Sequence, residues 1–212
     1  MSILLLCITA AIGLSIFLVG EYIWRQRLLH EEYARKFVHI TIGLFAASWP
    51  LYLEWNDIRL ISILLAVGYI VIRHLKLFQS VSSVKRNTYG EMFFALSFGL
   101  ITLLTDSTAI YMLAVLVMTL ADGLAAVVGT TFGHNNSYKL FGGTKSVVGS
   151  ATFFLVTITL IAIFGLYTPI VVPIGISLSV AVIATVMENA GVLGLDNLFI
   201  PLFITLVFTA VS

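Results

Sequence analysis

Apolar residues in this chain come in eight long runs, 3–20, 37–53, 58–73, 91–105, 107–132, 147–167, 169–187 and 197–212, separated by short polar loops. A hydrocarbon core about 30 Å thick calls for about 20 apolar residues per helix. Inside lipid every backbone N–H and C=O must find its partner within the segment, so such runs are expected to be helical. They predict an all-α, polytopic transmembrane helical bundle of about eight spans. Two runs, 91–105 and 197–212, are short, and the count falls to seven if one of them only dips into the interface. At 60% hydrophobic and 10% charged over 212 residues, the composition excludes a separate soluble domain, and residues 1–212 read as one integral-membrane domain. No basic stretch precedes residues 3–19; basic residues follow them, so the run reads as a retained helix and not as a signal peptide.

The charges are sorted. Arg25, Arg27, Arg35 and Lys36 follow the first run, Arg73, Lys76, Lys85 and Arg86 the third, and Lys139 and Lys145 the fifth; only Arg59 lies in an intervening loop. Basic residues near helix ends set orientation, which puts those loops in the cytoplasm and the N-terminus outside. A net charge of +1 gives no reason to expect a nucleic-acid partner. The lone Cys7 excludes a disulfide framework and a thiolate metal site. Trp24, Trp49 and Trp55 flank runs, as interfacial anchors do. Pro50, Pro169, Pro173 and Pro201 fall at or near the expected helix ends, where a missing N–H is tolerated. Residues 21–36 read as a charged, helix-compatible continuation of the first helix along the cytoplasmic surface.

Five polar clusters sit on the predicted cytoplasmic side. In Glu32-x-x-Arg35-Lys36-x-x-His39, helical spacing puts His39 on a face with both cations, and Arg35 and Lys36 are suited to phosphate oxygens. Tyr89-Gly90-Glu91 opens the fourth run, where Glu91 either complements a helix N-terminus or joins a metal set. Asp122 lies inside the fifth run, where a carboxylate must be paired, protonated or bound to a cation. Ala126, Gly129 and Gly133 share its helical face, open to another helix or to a bulky ligand. Gly142-Gly143-Thr144-Lys145-Ser146, with Gly149 and Ser150 beyond, offers backbone N–H groups, an ammonium and hydroxyls for phosphate at a helix start. It is not a Walker loop, since Thr144 stands where glycine is required. Glu188 and Asp196-Asn197 form the one cytoplasmic loop with two acids and no base, an arrangement suited to a divalent cation carried by a polyphosphate.

Taken in order, Arg35-Lys36-x-x-His39, Tyr89-Gly90-Glu91, Asp122-x-x-Ala125-Ala126-x-x-Gly129-x-x-x-Gly133, Lys145-Ser146-x-x-Gly149-Ser150 and Asp196-Asn197-x-x-x-Pro201 resemble the polyprenol kinase family of membrane lipid kinases. That family includes dolichol, phytol and farnesol kinases and the CTP-dependent diacylglycerol kinase. The resemblance covers about residues 30–205 and departs at Val148, a position often acidic in the family. It implies transfer of the γ-phosphate of a nucleotide, typically CTP, to a lipid alcohol at the cytosolic face. The residues expected to serve are Asp122, Asp196, Glu91 and Glu188 for Mg²⁺, and Lys145, Ser146, Gly142, Gly143, Arg35 and Lys36 for the nucleotide. His39 or a carboxylate would accept the hydroxyl proton, and Gly129, Gly133, Gly149 and Asn197 complete the motifs.

Two other functions compete. The related phosphatidate cytidylyltransferases share the Asp and Lys-Ser blocks but carry a further His-Gly-Gly and paired-Asp segment, which here shrinks to Gly194-Leu195-Asp196-Asn197. A small secondary transporter needs access from both sides, yet the external loops hold only Glu54, Asp57, Arg59 and Asp106 as charged residues. Self-association and the identity of the alcohol stay open.

Overall fold

The computed structural model describes residues 3–29, 31–75, 89–140, 143–170 and 172–212. Lys76, Lys85, Arg86 and Gly142, all named above, lie outside the described residues. The described chain forms helices α1 (Ile3–Arg25), α2 (Glu31–Ala47), α3 (Trp55–Leu75), α4 (Gly90–Ile101), α5 (Thr108–Phe132), α6 (Val147–Tyr167), α7 (Ile174–Ala190) and α8 (Asp196–Val211). Between α5 and α6 stands an antiparallel hairpin, β1 (Ser137–Leu140) and β2 (Gly143–Ser146), with Tyr138 opposite Lys145. This small sheet is the one departure from the all-α expectation. Helices α1, α3, α5 and α6 are long and apolar enough to cross a membrane; α4, α7 and α8 are apolar but shorter.

Residues 21–36 do not form one rod. Arg27 takes a left-handed φ of 54°, Leu28 N–H bonds to Ile23 O (3.1 Å) and Arg27 N–H to Trp24 O (3.0 Å). This crossed pair closes a helix C-terminus and turns the chain. The turn lets α2 start at Glu31, so Arg35, Lys36 and His39 all ride on α2 and face the bundle.

Helix α5 is the axis of the fold, with 56% of its apolar window buried against 11%, 17% and 28% for α1, α3 and α6. Its middle, Val117–Ala121, widens into a π-turn that ends at Asp122. Such bulges shift the helical register by a residue and recur at functional sites. Helix α2 crosses here at close range. A Cβ on Gly43 would lie 2.0 Å from Thr119 Oγ1, and one on Gly123 2.5 Å from Ile40.

Two expectations from residue type fail for packing reasons. Trp49 is 2% exposed and packs edge-to-face on Phe98 (5.4 Å between ring centroids), so it is a core residue and not an interfacial anchor. Pro201 lies inside α8, five residues beyond Asp196, and removes the bond its N–H would have donated to the Asn197 carbonyl. Pro50 falls in a 3₁₀ turn and Pro173 caps α7, as expected of helix ends.

The α2–α5 crossing yields a stability test. Gly43→Ala should cost about 1–3 kcal/mol through overpacking against Thr119, read as a lower Tm in detergent. Adding Thr119→Ala, which removes both γ atoms, should restore part of the loss. An unchanged Tm for Gly43→Ala would show that the helices are not locked at this point.

Candidate active site

The helix crossing carries Lys36 and Asp122 into direct contact. Lys36 Nζ donates to Asp122 Oδ2 at 2.5 Å, with both side chains almost fully buried. The other oxygen of Asp122 makes no hydrogen bond among the described residues. His39, one turn on, brings Nε2 to 3.4 Å from Asp122 Oδ2, and neither ring nitrogen makes a hydrogen bond among the described residues. Its ring stacks on Phe94 with centroids 4.1 Å apart.

Arg35 forms a second node. Its guanidinium takes Glu32 through Nη2 (2.6 Å) and Nε (3.3 Å), and Glu91 of α4 through Nη1 (2.8 Å). The third node joins the hairpin to α7: Lys145 Nζ donates to the Glu188 carboxylate and to the Glu188 carbonyl (3.0 Å). Burial works against the Lys145 charge, and the Glu188 carboxylate more than offsets it, holding the ammonium above the usual lysine range. Behind this pair, Tyr138 Oη, Ser150 Oγ and Asn189 Oδ1 lie 2.8 Å from one another, pinning β1 to α6 and α7.

These nodes border one cavity of about 870 Å³. Four carboxylates reach its wall, Glu32, Asp122, Glu188 and Asp196, against three cations, Arg35, Lys36 and Lys145. Three of the acids are tied to those three bases. Asp196, the first residue of α8, has no ion pair or hydrogen bond to its carboxylate among the described residues. It packs against Gly191, where a Cβ would come within 2.6 Å of its Cγ. Asn197 lines the cavity too and donates to the Gly90 carbonyl at 2.9 Å, joining α8 to α4.

A search of curated proteins finds a phytol kinase from Synechocystis sp. (strain ATCC 27184 / PCC 6803 / Kazusa), 33% identical over 196 residues, which cover 89% of this chain and 83% of the relative. The chain belongs to the polyprenol kinase family. No family model matches it, and no solved structure does.

Of the family-motif residues singled out from the sequence, Arg35, Lys36, Asp122, Gly129, Gly133, Gly143, Lys145, Ser146, Gly149, Glu188, Asp196 and Asn197 all line the cavity. His39 and Glu91 do not: His39 is sealed between Asp122 and Phe94, and Glu91 grips Arg35 from the far side. Ser146 caps α6 by accepting from Gly149 N–H (3.1 Å), so one backbone donor expected to be open is already used. The small-residue face of α5 is occupied as well. A Cβ on Gly129 would lie 3.0 Å from Ser146 Oγ and 3.4 Å from Gly149 Cα, and one on Gly133 2.5 Å from Ser146. Gly129 and Gly133 thus pack on the start of α6, while the same face, with Ala126, also borders the cavity. Tyr138 carried no signal of its own and Asn189 only its place beside Glu188, since their contacts arise only when hairpin and helices meet.

Among the described residues no group of three His, Cys, Asp or Glu converges as a ready metal site. Magnesium does not require one. It commonly binds through one or two carboxylates, keeps waters and takes the rest of its shell from phosphates. The Asp196 carboxylate and the free oxygen of Asp122 fit that donor set.

The Lys36–Asp122 pair gives the second prediction. Removing one partner strands a buried charge, so Asp122→Ala or Lys36→Met should each cost about 3–5 kcal/mol, read by chemical or thermal unfolding in detergent. The double variant should cost clearly less than the two single losses added together. Additive losses would mean that the two groups do not form a pair.

Proposed function

We propose that this protein is a lipid-alcohol kinase that moves the γ-phosphate of CTP to an isoprenoid alcohol, with Mg²⁺, at the cytoplasmic face of a membrane. The observation that carries the reading is the cavity itself: three cations of α2 and β2, each held by a carboxylate, ring a space that also holds one carboxylate without a cation. Family membership supports the kinase chemistry, and the resemblance noted from the sequence supports CTP as donor. The phytol kinase relative supports an isoprenoid alcohol as acceptor.

Phosphoryl transfer needs positioning and charge neutralisation more than covalent help from the protein. In this reading Lys36, Lys145 and Arg35 turn from carboxylates to phosphate oxygens, Arg35 as a planar fork and the lysines as point charges. Asp122 and Asp196 would hold Mg²⁺, which neutralises charge on the phosphates when bound. The Gly143 backbone and the Ser146 hydroxyl border the phosphates. The alcohol oxygen forms a bond to the γ-phosphorus as the bond to the departing nucleoside diphosphate breaks, and a carboxylate of the cavity wall accepts the hydroxyl proton. The sorted basic residues support eight crossings, an external N-terminus and a cytoplasmic cavity.

Purified protein given γ-labelled CTP, Mg²⁺ and phytol should produce labelled lipid. Asp122→Asn, which keeps an acceptor for Lys36 but loses the charge, and Lys145→Ala should each lower kcat/KM about 100-fold or more. Label transferred from the α-position of CTP to phosphatidate would instead mean cytidylyl transfer. Failure to transfer either label would overturn the kinase reading.

A further inference from the structure

The loop between α7 and α8 is the apolar exception in a polar cavity. Among the described residues every other lining residue is glycine, alanine or polar, and Val192 and Leu193 alone bring larger apolar side chains, 41% and 54% exposed. Leu193 also holds a left-handed φ of 58°, a conformation that disfavours a leucine, with Gly194 at 87° beside it. Its carbonyl accepts from Tyr89 N–H (3.0 Å), which fixes the loop against the start of α4. The loop is therefore held in a costly shape that keeps leucine at the cavity wall, three residues from Asp196.

We infer that Val192 and Leu193 form the acceptor subsite, the ledge on which the hydroxyl-bearing end of the lipid chain lies. This rests on the kinase reading above and adds the acceptor's position to it. A chain lying on the ledge ends beside Asp196, with its hydroxyl directed toward the phosphates held by Lys145. The two side chains then act as specificity-determining residues, because contact grows with the length of apolar chain next to the hydroxyl.

Leu193→Gly tests this cleanly. Glycine adopts the left-handed backbone without strain, so the variant should fold with an equal or higher Tm while losing the apolar contact. With γ-labelled CTP, KM for phytol should rise roughly tenfold, scaled from burial of one leucine side chain. KM for CTP should stay unchanged, and the effect should shrink for a C5 prenol, which reaches less of the ledge. Leu193→Asn, also at home in that backbone, should raise the phytol KM at least as much. If wild-type protein phosphorylates phytol but both variants keep its KM, the subsite assignment is wrong and the kinase reading survives. If wild-type protein phosphorylates none of the alcohols, the kinase reading fails and takes the subsite with it.

Discussion

The contact between Lys36 and Asp122 sets the terms for the rest of the molecule. Taking two charges out of water is expensive, and their attraction seldom repays the full cost, so such a pair is a poor way to gain stability over a well-packed apolar one. Its value lies in placement. It fixes α2 to α5 at the level of the cavity and presents an ammonium and a carboxylate oxygen to the same space. Everything near it serves that closeness. Gly43 and Gly123 let the two helices approach, the π-turn at Val117–Ala121 precedes Asp122, and His39, stacked on Phe94, packs beside the pair.

The cavity's charge balance has a further consequence. With no anion present, Arg35, Lys36 and Lys145 are each held by a carboxylate, so none is left buried and alone. A polyphosphate arriving under the proposed reading must displace those carboxylates from their cations. Left together with the phosphates they would repel, and a divalent cation removes the conflict by taking up Asp122 and Asp196. Nucleotide and metal then favour each other's binding through charge alone, as linked ligands do.

Much of this was legible in the sequence because lipid restricts the choices. Apolar runs marked where the helices lie, although α2 (Glu31–Ala47) begins and ends six residues before its run 37–53, and the polar clusters marked the cavity wall, since a charge inside an apolar run must have a partner. What escaped depended on tertiary contact. The end of α1 carried no glycine: Arg27 occupies the left-handed position, so 21–36 read as a single rod. Trp49 looked like an anchor because it sits at the end of a run, while the aromatic pocket that buries it is built from Phe45 and Phe98. The hairpin read as a loop, because four-residue strands with alternating exposure have too little apolar content to register. The glycine face of α5 fitted either a helix or a ligand by spacing, and in the fold it packs on Ser146 and Gly149 while also bordering the cavity.

The contacts around the cavity divide into two kinds, and the division follows what each must do. Elements distant in the chain are joined around the cavity by neutral hydrogen bonds: Asn197 to the Gly90 carbonyl, Tyr89 N–H to the Leu193 carbonyl, and the cluster of Tyr138, Ser150 and Asn189. A charged ligand has little to offer these bonds in exchange, so they persist whether or not it is present. The ion pairs stand at the wall, where phosphate can replace carboxylate without leaving a charge unpaired. A frame of neutral bonds with exchangeable ionic contacts on its inner face lets the charges re-pair while the backbone stays in place. That is the condition for electrostatic preorganisation, because groups already positioned need little reorganisation when charge shifts during transfer.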